Sequence, residues 1–258
     1  MTADGVATPK PAATLVLLRD GADGLEVLMV ARHEASGFAA GALVFPGGKV
    51  DPADGALAQR CPGIADPCGA EAAARVAAIR ETWEECGILL ARRAGAGSLL
   101  SAADVAALRA GHGAGLAALV EGAGLELAAD RLVPFAHWIT PVDRPKRFDT
   151  RFFVAPFDGD QETVFDGREA VDARWVRPAD AIAAADTGRL KLVFATRMNL
   201  LKLSRWRSVA AALDAAQRQT IVTVTPQVVQ TAAGLVFRIP AEADYGASEI
   251  PAEGIARA

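Results

Sequence analysis

With 258 residues and about half of them apolar (52%), the chain can bury a large core, and it is long for one ordinary domain but short for two. Its formal net charge of −4 argues against a nucleic-acid backbone as partner, since that would favour a basic face. No run approaches the roughly 18 apolar residues of a membrane helix, and the opening MTADGVATPKPA lacks the basic start and apolar core of a signal peptide. A cytoplasmic protein without a membrane partner is expected. Three cysteines, Cys61, Cys68 and Cys86, match no four-ligand zinc pattern, so reduced thiols are the default.

In chain order, residues 1–12 read as a frayed tail. Ala13 to Leu18 and Leu25 to Val30 read as strands joined by the turn Asp20-Gly-Ala-Asp-Gly24, the second strand running on to Arg32 and His33. Ala42 to Phe45 would be a short third strand that delivers Gly47 and Gly48. After a loose insertion, Glu71 begins a helix, its acid suited to the positive end of the dipole, and Gly87 is placed to end it in a left-handed cap. A further helix starts at Ser101 as N-cap, and a short one covers Leu116 to Glu121. Leu132 to Thr140 and Phe148 to Phe157 return to strand character, with Arg144, Lys146 and Arg147 forming a basic loop between them. Ala179 to Ala185 and Thr196 to Ala216 are helical by period, Ile221 to Thr225 and Leu235 to Ile239 are terminal strands, and residues 241–258 read as partly disordered.

The chemistry concentrates in the helix that begins at Glu71. At roughly 100° per residue, Glu81, Glu84 and Glu85 share one side, while Val76, Ile79, Trp83 and Cys86 share the other. Ala74 and Ala77 fall on the glutamate side and would leave room there. Three carboxylates at i, i+3 and i+4 repel one another, so a cation is expected beside them. An oxygen-only set suits a hard ion such as Mg²⁺, which binds through a few carboxylates together with substrate phosphates.

Gly47-Gly48 before this helix and Arg80-Glu81-Thr-Trp-Glu84-Glu85-Cys-Gly87-Ile88 within it together resemble the signature of the Nudix hydrolase superfamily. From Arg80 to Ile88 the match is position by position, except that Thr82 stands at an apolar slot. The first half is displaced by about eighteen extra residues. Counted forward from Gly48, the slot for the first glutamate is Asp54; counted back from Arg80, it is Ala72, next to Glu71. A split signature of this kind resembles the branch that acts as coenzyme A and acyl-CoA diphosphatases, as do Trp138-Ile-Thr-Pro141, Pro145-Lys-Arg-Phe-Asp-Thr150 and Phe152-Phe153. The peroxisomal location of that branch's animal members is not carried over, because no Ser-Lys-Leu ending is present.

The resemblance implies an α/β fold over residues 1–258, a mixed sheet sandwiched between helices, with insertions at about 55–70 and 95–128. It implies a Mg²⁺- or Mn²⁺-dependent hydrolase that cleaves the pyrophosphate bond of a nucleoside diphosphate linked to another group. CoA or acyl-CoA would give 3′,5′-ADP and (acyl-)phosphopantetheine; ADP-ribose, NADH and dinucleoside polyphosphates are the alternatives, and a non-catalytic ligand sensor is a third reading. Glu81, Glu84 and Glu85 would hold metal, with the Gly48 carbonyl beside them. Arg80 would hold a neighbouring carboxylate through its fork of donors. Gly47, Arg32, Arg144 and Arg147 would meet the substrate. The base stays open between Glu81, Glu84 and Glu169, with Asp166 and Asp172 behind the last, and a homodimer stays open as well.

Overall fold

The computed structural model describes residues 6–33, 40–111, 115–164, 170–232 and 234–252. In chain order its strands are β1 (Lys10–Gly21), β2 (Gly24–Arg32), β3 (Leu43–Val44), β4 (Gly47–Lys49), β5 (Ala91–Arg93), β6 (Leu125–Leu127), β7 (Val133–Ile139), β8 (Phe148–Pro156), β9 (Ala170–Val176), β10 (Thr223–Val224), β11 (Gln227–Thr231), β12 (Gly234–Arg238) and β13 (Glu249–Pro251). Its helices are α1 (Pro52–Ala58), α2 (Ala70–Cys86), α3 (Ala102–Gly111), α4 (Leu116–Gly122), α5 (Pro178–Asp186), α6 (Phe194–Leu203) and α7 (Val209–Arg218).

One eight-stranded mixed sheet organises the molecule. Its order is β10-β7-β8-β1-β2-β3, with β4 added to β1 and β9 to β2. The pairs β1/β8 and β10/β7 are parallel and the other pairings are antiparallel. Period-two alternation sends the side chains of one strand into two different cores. Ala13, Leu15 and Leu17 of β1, with Leu28 and Val30 of β2, pack against α1, α2, α3 and α4. Val16 and Leu18, with Val27 and Met29, pack against α5, α6 and α7. This is the mixed sheet between helical layers that the sequence predicts.

β1 and β2 are paired only from Leu18/Val27 to Gly21/Gly24. Beyond that they splay, and residues 43–49 fill the wedge: β3 pairs with Val30 and Ala31, while β4 pairs with Ala12, Ala13 and Thr14. The glycine pair is therefore a strand edge inside the sheet, held next to α2.

Three expectations are corrected. The long helix read over Thr196 to Ala216 is two helices, because Asp20 Oδ1 accepts the Val209 N–H (2.8 Å) and Ser208 Oγ accepts that of Ala211 (3.3 Å), starting a new helix at 209. Residues 241–252 are packed, not frayed: Tyr245 is buried, accepts a hydrogen bond from Trp138 Nε1 (2.9 Å) and donates one to Asn199 Oδ1 (2.9 Å). β11 and β13 flank β12 in a small sheet of their own. At the other end, the Ala7 carbonyl is bound by Arg147 and β1 begins already at Lys10. Among the described residues no helix is long and apolar enough to cross a membrane, and the three cysteines are free thiols.

Candidate active site

α2 starts at an extended Gly69 and ends at Gly87, whose φ of +67° is the left-handed cap the sequence predicts; the Gly87 N–H donates to the Trp83 carbonyl. Its inner face is broader than the period suggests. Ala74, Val76, Ala77, Ala78, Ile79, Thr82 and Cys86 are all buried. Ala74 and Ala77 thus pack in the core and open no space beside the glutamates. Thr82 fits the apolar slot because its hydroxyl donates to the Ala78 carbonyl one turn back (2.7 Å), leaving only the methyl to pack. Trp83 is half-exposed.

Arg80 organises the acidic side. Its Nε and Nη2 donate to the two oxygens of Asp54 (2.9 and 3.0 Å), a bidentate pair, and Nη2 also reaches the Lys49 carbonyl (2.8 Å). Nη1 donates to Glu81 Oε1 (2.8 Å) and Glu84 Oε2 (3.0 Å). Asp54 is buried, 2% exposed, and accepts the Asp51 N–H (2.8 Å) as part of a capping box that starts α1 at Pro52. Asp54 stands in the site, whereas Glu71 pairs with Arg75 (2.8 Å) at the outer end of α2. In space the intervening residues cost nothing, because α1 lies beside α2 and returns Asp54 to Arg80.

Glu85 goes inward. Only 5% exposed, it accepts the Gly47 N–H (3.1 Å) through Oε2 and lies 3.6 Å from Arg32 Nη1 through Oε1. Arg32 Nε is buried without a hydrogen-bond partner among the described residues. Gly48 faces Glu81: a Cβ there would stand 2.5 Å from Glu81 Cδ and 2.6 Å from Oε2, so only glycine admits the carboxylate at this point.

Burial raises the pKa of Glu81; Arg80 opposes that rise, and Glu84 and Asp54 add to it. Burial alone would lower that of Arg80, but the hydrogen bonds and charges of Asp54 and Glu81 outweigh it and raise it. Five carboxylates, Asp51, Asp54, Glu81, Glu84 and Glu85, thus face two guanidinium groups, Arg80 and Arg32. As arranged around Arg80, no three acidic, histidine or cysteine side chains among the described residues gather closely enough to hold a metal ion. The donor chemistry nevertheless fits a hard divalent cation: every donor is oxygen, the charge is in excess, and Glu81 is desolvated.

The structure brings together Arg32, Gly47, Gly48, Arg80, Glu81, Glu84 and Glu85. It does not bring Arg147 to them. That guanidinium is buried in the turn between β7 and β8, donating to the Thr140 carbonyl (3.0 Å) and the Ala7 carbonyl (2.9 Å), where it ties down the N-terminal arm. Arg144 occupies the same turn and makes no side-chain hydrogen bond or ion pair among the described residues. Asp172 is at the start of β9 and pairs with Arg174 (2.9 Å); Glu169 and Asp166 lie outside the described residues. The spacing of Asp51-Pro52-Ala-Asp54 signals the start of α1 through its capping box but carries no signal of the pairing with Arg80. The contact of Arg109 with the Gly87 carbonyl carried no sequence signal.

The family profile described as NUDT19 Nudix domain matches residues 55–205. The chain is 27% identical over 303 aligned positions to the chicken protein named acyl-coenzyme A diphosphatase NUDT19, covering 90% of this chain and 79% of that one. It is also 27% identical over 179 to the provisionally assigned nudix hydrolase 7 of Caenorhabditis elegans, covering 69% of this chain and spanning just over half (56%) of that relative. Among solved structures, a NUDIX hydrolase from Alicyclobacillus acidocaldarius superposes with a TM-score of 0.70 at 33% identity, over 81% of this chain and 96% of that one. The chain belongs to the Nudix hydrolase family, and within it to the NUDT19 type.

Proposed function

We propose that the chain is a divalent-metal-dependent diphosphatase that hydrolyses the pyrophosphate bond of CoA or acyl-CoA. The observation that carries this reading is the gathering of Asp54, Glu81 and Glu84 on one Arg80 fork beside the glycine pair. The substrate rests on the likeness to the chicken acyl-CoA diphosphatase and on the motif at Pro145 to Phe153. ADP-ribose, NADH or a dinucleoside polyphosphate is the second reading.

Glu81, Glu84 and Glu85, with the Gly48 carbonyl, would hold Mg²⁺ or Mn²⁺. When bound, the ion offsets the repulsion between anionic phosphoryl oxygens and an incoming nucleophile. The residues of the chain supply the rest. Arg80, locked by Asp54, keeps Glu81 and Glu84 beside the glycine pair, from where their carboxylates would close on an ion as it binds. Arg32, whose Nε has no hydrogen-bond partner among the described residues, offers a donor to a phosphate oxygen. Water attacks one phosphorus, its proton passes to a carboxylate, and the bridging P–O bond breaks with its electrons on the departing phosphate. Glu81, Glu84 and Glu169 are the candidate acceptors of that proton.

The test is hydrolysis of a panel (CoA, acyl-CoA, ADP-ribose, NADH and dinucleoside polyphosphates) with Mg²⁺ or Mn²⁺. Acyl-CoA should give 3′,5′-ADP and acyl-phosphopantetheine, and Glu85→Gln should lose at least about 100-fold in kcat, as displaced first-rank groups do. Turnover of none of these compounds refutes the enzyme reading and favours a ligand sensor; undiminished turnover by Glu85→Gln refutes the metal assignment.

A further inference from the structure

The inserted helix α3 reaches the end of α2 through Arg109. Arg109 Nη2 donates to the Gly87 carbonyl, and its guanidinium lies 5.1 Å from the centre of the Trp83 ring. It is half-buried and has no carboxylate partner among the described residues. Its charge is spent instead on the negative end of a helix and on an indole face, both of which favour a cation. The contact is built tightly: a Cβ at Gly87 would stand 2.9 Å from Arg109 Cζ and 2.9 Å from the Val164 carbonyl oxygen. Val164 in turn donates its N–H to the Cys86 carbonyl (2.9 Å).

The insertion does not need this contact to stay in place. At its base the buried Gln161 side chain accepts the Leu89 N–H (2.9 Å) and donates to the carbonyls of Leu89 (3.1 Å) and Leu100 (2.9 Å). Asp160 accepts the Ala102 N–H (2.8 Å) at the start of α3, and Asp104 pairs with Arg93 (2.7 Å). Arg109 is left to act on α2 alone. The turn it grips carries Glu84 and Glu85, and Trp83 adjoins them in sequence.

We propose that Arg109 is a positioning residue, through which the helical insertion sets the last turn of α2 and so the placement of Glu84 and Glu85 for a divalent cation. The role rests on the metal assignment above, yet it is read out by ion binding as well as by turnover. Arg109→Met keeps the length and removes charge and donors. It should weaken Mn²⁺ binding in calorimetry about tenfold and lower kcat about tenfold with KM unchanged, the lower range for a partner one shell removed from a metal. Arg109→Lys keeps a cation and a donor, and should restore both to within about threefold. Gln161→Ala, which loosens the insertion at its base, should lower the melting temperature and leave Mn²⁺ affinity unchanged.

Wild-type Mn²⁺ affinity and kcat in Arg109→Met overturn the proposal. So does Gln161→Ala weakening Mn²⁺ as much as Arg109→Met, because the effect would then be loosening in general. Should Arg109→Met fail to fold, Arg109→Gln, which removes the charge and keeps a donor, takes its place: Mn²⁺ affinity at least about threefold below wild type at an unchanged melting temperature supports the proposal, and wild-type affinity overturns it. If the wild type binds Mn²⁺ but hydrolyses nothing, the functional reading fails while the affinity comparison still tests Arg109.

Discussion

Gly47 and Gly48 are adjacent, and replacing each by alanine should break different things. The three atoms nearest a Cβ at Gly48 all belong to the Glu81 carboxyl group, the far end of a flexible side chain. Glu81 will swing away, giving up its charge-assisted bond to Arg80, worth about 1.5–3 kcal/mol. Two gains offset this: the desolvated carboxylate reaches water, and alanine reduces unfolded-state entropy by about 0.4–1 kcal/mol. The net cost is on the order of 1 kcal/mol, a fall of about 2–4 °C in Tm for a chain of this size. Turnover should fall about 100-fold, since a misplacement of about 1 Å at a reacting centre costs that much. A Cβ at Gly47 instead meets backbone, 2.5 Å from the Ala13 carbonyl oxygen and 2.8 Å from Thr14 Cα. Strand β4 cannot yield without unpairing from β1, so overpacking of about 1–3 kcal/mol or more is expected, together with loss of the Gly47 bond to Glu85. Thermal melts and steady-state hydrolysis on both variants separate the effects. Gly48→Ala with undiminished kcat/KM, or with the larger loss of stability of the two, would refute the reasoning.

Asp54→Ala removes the bidentate partner of Arg80 and the capping box but leaves Glu81, Glu84 and the Lys49 carbonyl on the guanidinium, and should cost about 1–3 kcal/mol, whereas Glu71→Ala, at an exposed pair, should stay within about 0.5 kcal/mol and keep activity; urea unfolding checks both. Burial raises the pKa of Glu81 above its ordinary value of 4.5, so its favourable contribution is present below that value and is lost as pH rises through the folded-state pKa. Glu81→Gln should therefore melt higher than wild type at pH 7–8, with the gap closing below about pH 4, and should be inactive; saturating Mg²⁺ should stabilise only the wild type. Tyr245→Phe leaves Trp138 and Asn199 without their shared partner and should cost about 1–3 kcal/mol, with kcat unchanged at temperatures below the transition.

Legibility followed the reach of the interaction. Local periodicity placed β1, β2, β7, β8 and α2 within a few residues, and the positive φ of Gly87 was readable from a glycine standing just past the last helical residue. The helix break at residues 204–208 was not, because one of its capping acceptors, Asp20, comes from the far end of the chain. Ala74 and Ala77 were misplaced for a related reason: a wheel shows the angle of a side chain, but the width of the buried stripe depends on how closely β1 and α1 approach α2. Arg147 was read from the charge of its loop and from the family resemblance, and it serves the N-terminal arm instead. Asp54 was one of two counts along the sequence, and only the return of α1 to Arg80 distinguishes it from Glu71.

The central claim is that the α2 carboxylates exist to hold a divalent cation against linked phosphates. Calorimetric titration of Mn²⁺ into the wild-type protein and into Glu81→Gln/Glu85→Gln tests it most directly. The account predicts saturable uptake by the wild type and none by the double variant under the same conditions. Equal uptake by both, or none by either, would contradict it.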